Sequence, residues 1–179
     1  GKHGSAYVNK DAVYPHTSLT QKLTQEMASL FQLDDIEVVV APAIGAVILG
    51  QWIAYHLSQK TGREVLSVYS EKSDTGGFVI KRGYERLIPG KNCLVVEDII
   101  NTGGSIALVL DQVRNLGGKI VGAVALCNRG GLKAQELGVP RLEALVNVSL
   151  EAWDPSECPL CKAGVPINTS VGKAKTAVR

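Results

Sequence analysis

The stretch Cys93-Leu94-Val95-Val96-Glu97-Asp98-Ile99-Ile100-Asn101-Thr102-Gly103-Gly104-Ser105 carries the deciding pattern of this chain. Four apolar residues in a row suit a strand buried on both faces. Two carboxylates follow at the strand's C-terminal end. A short loop with two glycines comes next, and Ser105 stands where a helix N-cap belongs. Behind it Ile106, Val109, Leu110, Val113 and Leu116 recur at helical spacing. Ligands of open α/β sheets bind beyond the carboxyl ends of the strands. A loop rich in backbone N–H groups that feeds a helix N-terminus favours a phosphate. The adjacent carboxylates suit sugar hydroxyls or a divalent cation. Together these features point to a sugar phosphate with more than one functional group.

Strand–loop–helix units flank this stretch. Thr17 or Ser18 is expected to cap a helix that buries Leu19, Leu23, Met27, Leu30 and Phe31. Asp34 and Asp35 read as a solvated turn. Ile36 to Ala41 is a buried strand, followed by Ala43-Ile44-Gly45-Ala46 and a helix with Ile48, Leu49, Trp52, Ile53 and Leu57 inward. Glu64 to Tyr69 is a third strand, and Phe78 to Tyr84 reads as its return. Ile120 to Cys127 is a second continuous apolar run, hence a central parallel strand. It ends in Asn128-Arg129-Gly130-Gly131, on the same sheet edge as Glu97 and Asp98. Leu142 to Val148 gives the last strand.

With 179 residues, 45% hydrophobic and 20% charged, the chain suits one soluble globular domain with a small appendage. A net charge of +2 argues against nucleic acid or an anionic membrane as partner. No apolar run is long enough to span a bilayer, and no secretory signal pattern is present. Two of the four cysteines fall inside expected strands, so a disulfide framework is disfavoured and a cytoplasmic location is expected. The chain opens on Gly1 rather than Met, which leaves room for residues in front of it.

The stretch 93–105 resembles the phosphoribosyl-diphosphate signature of the type I phosphoribosyltransferases: an apolar strand, two acids, two apolar residues, then a Thr/Gly/Ser-rich loop. Asn101 departs from the small hydroxyl, Ala or Asp usual there. Lys2-His3-Gly4-Ser5-Ala6-Tyr7-Val8-Asn9 resembles the base-covering N-terminal hood of orotate phosphoribosyltransferases. The family's base-contacting lysine would precede Gly1. The resemblance implies an α/β fold with a mostly parallel central sheet flanked by helices. A small hood from the N- and C-terminal segments would cover it. Residues 1–150 would form the core, with 1–14 as hood segment, and 151–179 a tail serving as hood or subunit contact.

The same resemblance implies the site. Asn101, Thr102, Gly103, Gly104 and Ser105 would hold the 5-phosphate, and Glu97 and Asp98 the ribose. The backbone at Ala43 and Ile44 would hold pyrophosphate, a loop that often contains a non-proline cis peptide. On residues alone that loop is equally a plain βα turn. Lys72 would be the catalytic residue of a two-stranded flap, although the orotate enzymes carry more basic residues and a histidine there. Tyr7, Asn9 and Arg129 would meet the base, with Arg129 on the orotate carboxylate. Mg²⁺ is the implied cofactor, bridging substrate oxygens with no cage of protein side chains. A homodimer is the implied assembly, with phosphoribosyl diphosphate and orotate or another nucleobase as ligands.

Cys158 and Cys161 have metal-ligand spacing, but a closed zinc site needs four ligands. Cys127, His3 or His16 could complete one only by folding together, and a pair of reduced thiols is the other reading. His56 reads as a half-buried helix residue. Two alternatives stand beside an orotate enzyme. One is a purine phosphoribosyltransferase. The other is a regulator that senses phosphoribosyl diphosphate, which would be expected to carry a nucleic-acid domain or a strong basic face.

Overall fold

A computed structural model describes residues 3–31, 35–74 and 76–168. The readings placed on Lys2, Asp34 and the tail beyond residue 168 lie outside the described residues. The strands are β1 (His3–Gly4), β2 (Val38–Pro42), β3 (Leu66–Lys72), β4 (Phe78–Val79), β5 (Asn92–Ile100), β6 (Lys119–Asn128), β7 (Leu142–Asn147) and β8 (Ala152–Trp153). The helices are α1 (Thr17–Ser29), α2 (Val47–Thr61), α3 (Gly104–Asn115) and the single turn α4 (Pro159–Lys162). A six-stranded sheet runs in the order β4-β3-β2-β5-β6-β7, parallel except for β4. β1 and β8 pair apart from it, antiparallel, with His3 opposite Trp153 and Gly4 opposite Ala152.

Alternation along the strands splits the core into two layers. Val39, Ala41, Leu94 and Val96 face α1 and α2, whereas Val38, Val40, Cys93 and Val95 face α3. Both faces of the central strands are therefore apolar, as parallel sheets require. Leu49, Ile53 and Leu57 of α2 are buried, each contributing about 1.5–3 kcal/mol at most. α2 stops at Gly62, whose φ of 68° closes the helix.

Several local expectations need correction. Leu19 is half exposed, and Thr20 and Thr24 take inward positions on α1. Their hydroxyls are satisfied locally: Thr20 donates to the Val13 carbonyl and Thr24 to the Thr20 carbonyl, which removes the cost of burying them. Ile48 is also largely exposed. Only Phe78 and Val79 return along β3, because Arg82 and Gly83 both adopt positive φ and turn the chain away. β5 does not stop before the acids. It runs through Glu97 and Asp98 to Ile100, held by pairing with β6 up to Asn128. Gly103, at φ 78°, occupies the N-cap position of α3, and Ser105 lies within the first turn. A Cβ on Gly103 would lie 2.4 Å from Leu132 Cδ2, the movable end of a side chain, so the positive φ is what calls for glycine here.

Candidate active site

Three neighbouring parallel strands, β2, β5 and β6, deliver their following loops to one edge of the sheet. The loops interlock through glycines. A Cβ on Gly130 would sit 1.6 Å from the Asn101 carbonyl oxygen. Arg129 and Gly130 both donate their N–H groups to the Ile100 carbonyl, at 2.7 and 3.1 Å. The Asn128 side chain closes the 128–132 loop, accepting from the Leu132 N–H and donating to the Leu132 carbonyl. On the other side, a Cβ on Gly45 would lie 2.0 Å from Asp98 Oδ2. Backbone and carboxylate can approach only because that position is bare. The Ala43–Ile44 peptide bond is cis, and the Ala43 N–H donates to the Ser70 carbonyl at 2.7 Å.

The acidic pair sits between these loops. Glu97 is 6% exposed and its Oε1 accepts the Asp98 N–H at 3.0 Å. Burial first, and the neighbouring Asp98 charge second, push the Glu97 carboxyl well above the usual carboxylate range. Asp98 Oδ1 accepts the Ile99 N–H at 2.6 Å, while Oδ2 lies 3.1 Å from Lys10 Nζ. Lys10 also pairs with Asp11 at 2.7 Å. Burial opposes the Lys10 charge, but Asp11 and Asp98 outweigh it and raise the ammonium's pKa. Tyr14 completes the cluster, with its ring centroid 5.2 Å from Lys10 Nζ and a buried hydroxyl that has no hydrogen-bond partner among the described residues. Burial and the charges of Asp98, Asp11 and Glu97 drive that phenol's pKa upward.

Sequence reasoning missed Lys10 and Tyr14. Both lie in a polar N-terminal segment, and 88 positions separate Lys10 from Asp98. Only the topology joins them, so no local pattern could have found the pair. Asn101, Thr102, Gly104 and Ser105 are exposed around the loop and Gly103 is buried beneath it. Arg129 is half-buried. Its Nη2 is 3.4 Å from the point where a Cβ on Gly4 would sit, and its buried Nε has no hydrogen-bond partner among the described residues. Tyr7 and Asn9 are exposed and their side chains make no hydrogen bond among the described residues. Lys72 is exposed at the end of β3 and forms no ion pair among the described residues. Lys81 and Arg82 both bind Glu71, at 2.8 and 2.5 Å. They lie beyond β4, not on it. Cys158 and Cys161 meet His3, and neither Cys127 nor His16 joins that cluster.

Known proteins resemble this chain. The family model of the phosphoribosyl transferase domain matches residues 9–147. An orotate phosphoribosyltransferase of Desulforamulus reducens is 41% identical over 166 residues, covering 93% of this chain and 82% of that protein. One from Caldanaerobacter subterraneus subsp. tengcongensis is 34% identical over 167 residues, covering 93% and 83%. Among solved structures, the Mycobacterium tuberculosis orotate phosphoribosyltransferase in complex with 5-phospho-alpha-D-ribosyl 1-diphosphate superposes with a TM-score of 0.60 at 21% identity, covering 79% of this chain and 81% of that one. An adenine phosphoribosyltransferase from Thermoanaerobacter pseudethanolicus gives 0.61 at 16% identity, covering 79% and 87%. At those identities the two structures speak for the fold alone.

Proposed function

The chain belongs to the phosphoribosyltransferase family, and from that premise we propose that it transfers phosphoribose from phosphoribosyl diphosphate to orotate. The products are orotidine monophosphate and pyrophosphate. The observation that carries the choice of base is Arg129. A guanidinium whose buried Nε has no hydrogen-bond partner among the described residues stands at the mouth of the sheet, beside the loop that follows β5. Such a donor calls for an anionic acceptor, and orotate is the common nucleobase that carries a carboxylate. Adenine and guanine offer no charge to it. The name carried by the 41% identical relative supports the same base.

The remaining parts follow from the geometry. The transition state is a ribose with oxocarbenium character as pyrophosphate leaves. Backbone N–H groups from Asn101 to Ser105, opening α3, hold the 5-phosphate. Glu97 and Asp98 accept hydrogen bonds from the ribose hydroxyls. Lys10 fixes the Asp98 carboxylate and offsets the charge that a second buried acid adds. The bare backbone at Ala43, Ile44 and Gly45 faces pyrophosphate. Lys72, exposed on the flap, reaches the leaving group when the flap closes. Tyr7 and Asn9 lie in the hood over the base.

A magnesium ion fits this donor set only in one manner. Asp98 already spends one oxygen on the Ile99 N–H and the other on Lys10. Each oxygen keeps a further lone pair, but two neighbouring carboxylates make no full cage, so most ligands would come from substrate and water, as Mg²⁺ prefers. When bound, Mg²⁺ would draw charge from the departing pyrophosphate. A cytoplasmic homodimer completes the reading, with 1–150 as core and 151–179 as a tail that contributes to the hood. No helix among the described residues is long and apolar enough to cross a membrane.

The test is a pair of calorimetric titrations on wild type and Arg129→Ala, one with orotate and one with phosphoribosyl diphosphate. The expected outcome is an orotate affinity lowered about 10–100-fold, with phosphoribosyl diphosphate binding nearly intact. Equal loss for both ligands would make Arg129 a structural residue instead.

A further inference from the structure

We propose that His3, Cys158 and Cys161 bind a zinc ion that fastens the N-terminal strand to the C-terminal segment. Their ligand atoms, one imidazole nitrogen and two sulfurs, all lie within 4.8 Å of one another. A tetrahedral zinc with bonds of about 2.0–2.3 Å spaces its ligands roughly 3.3–3.8 Å apart. His3 Nδ1 and Cys161 Sγ, now 2.9 Å apart, need to open by less than about 1 Å to meet that spacing. Sulfur and imidazole together form the donor set that zinc selects over magnesium or calcium.

The placement is built by the fold on both sides. Cys158 and Cys161 flank Pro159 and Leu160 in the turn α4, and Lys162 donates its N–H to the Cys158 carbonyl at 3.1 Å. His3 arrives from the other end of the chain because β1 pairs with β8 in a fixed register. Cys158 is fully buried, whereas Cys161 is exposed, so an ion can enter from solvent and water can fill the fourth position. A disulfide between the two cysteines would use the same sulfurs and leave the convergence of His3 without a role.

The consequence for the site rests on the proposed orotate reading. Gly4, the residue after His3, packs against the Arg129 guanidinium. Zinc at His3 therefore sets the height of the hood over the base.

The test measures metal directly and does not depend on catalysis. The full chain, purified without a metal-binding tag under reducing conditions, is dialysed against Zn²⁺ and its content measured by plasma mass spectrometry. The expected result is about one zinc per chain. Co²⁺ in its place should give the strong sulfur-to-metal absorption and visible bands of a tetrahedral site. His3→Ala and Cys161→Ser, chosen because neither residue is fully buried, should each weaken zinc by more than about 100-fold, beyond the loss of an outer-shell partner. Cys127→Ala should bind as wild type. A zinc-free wild type, unchanged binding in His3→Ala and Cys161→Ser, or a Cys158–Cys161 disulfide in the reduced preparation would each overturn the proposal.

Discussion

The loops after β2, β5 and β6 are locked into one another, whereas the β3–β4 hairpin beside them stands on two paired residues from each strand. In the first region glycines let backbone meet backbone, carboxylate or an apolar side chain: Gly130 at the Asn101 carbonyl, Gly45 at Asp98, Gly103 at the Leu132 side chain. The charges there are partly or wholly buried and knitted together, with Lys10 between Asp98 and Asp11. In the hairpin the charges pair off at the surface, Lys81 and Arg82 on Glu71, and Lys72 stays exposed. Surface pairs of that kind contribute little and exchange easily. The contrast separates two tasks. A ribose phosphate needs donors and acceptors fixed in advance. A leaving group is better met by a segment that can close after substrate has entered.

The sharpest way to break the contrast is Gly130→Ala. The new methyl would overlap the Asn101 carbonyl, and the two loops must part to admit it. A loss of about 3 kcal/mol is expected, a fall of roughly 6–12 °C in Tm by calorimetry. The same alanine at Gly76, at the hairpin tip, meets nothing within 4 Å and has only its positive φ to strain it.

A second comparison sets Asp98→Asn against Lys72→Ala. Asp98→Asn should weaken phosphoribosyl-diphosphate binding and kcat/KM by about 10–100-fold, the cost of one charged hydrogen bond. Lys72→Ala should lower kcat by a similar factor and leave affinity within about twofold, since the contact proposed for it forms late. Equal loss of affinity in both variants would erase the distinction between fixed site and closing flap.

The smallest effect is expected at Glu97. Its folded pKa is raised above the ordinary glutamate value by burial and by Asp98. Its share of stability is therefore fully present below that ordinary value and is lost as pH rises through the raised one. Glu97→Gln should remove this decline and stabilise the ligand-free protein by about 1 kcal/mol at mildly alkaline pH, while lowering activity. Denaturant melts at acid and alkaline pH check the sign.

The α/β layout was legible because continuous apolar runs such as Ile120 to Cys127 announce strands buried on both faces. The β5–loop–α3 unit was legible because its residues are contiguous. Contacts between distant segments were not. Lys10 meets Asp98, and His3 meets Cys161, only after the sheet order is set. The helix cap was misplaced for a different reason. Ser105 has the usual capping side chain, but the helix begins one residue before it, and the positive φ at the cap position suits Gly103. The buried threonines of α1 escaped a reading based on apolar spacing because their hydroxyls are satisfied locally, Thr20 by the Val13 carbonyl before the helix and Thr24 within the helix and by His56.

The most direct measurement is base competition. The protein is given phosphoribosyl diphosphate, Mg²⁺ and an equimolar mixture of orotate, adenine, guanine and hypoxanthine, and the nucleotides formed are separated by chromatography. The expected product is orotidine monophosphate, matched one for one by pyrophosphate, with the purines left unconsumed. A purine nucleotide as main product, or no nucleotide at all, would contradict the assignment of Arg129 to a carboxylate and with it the orotate reading.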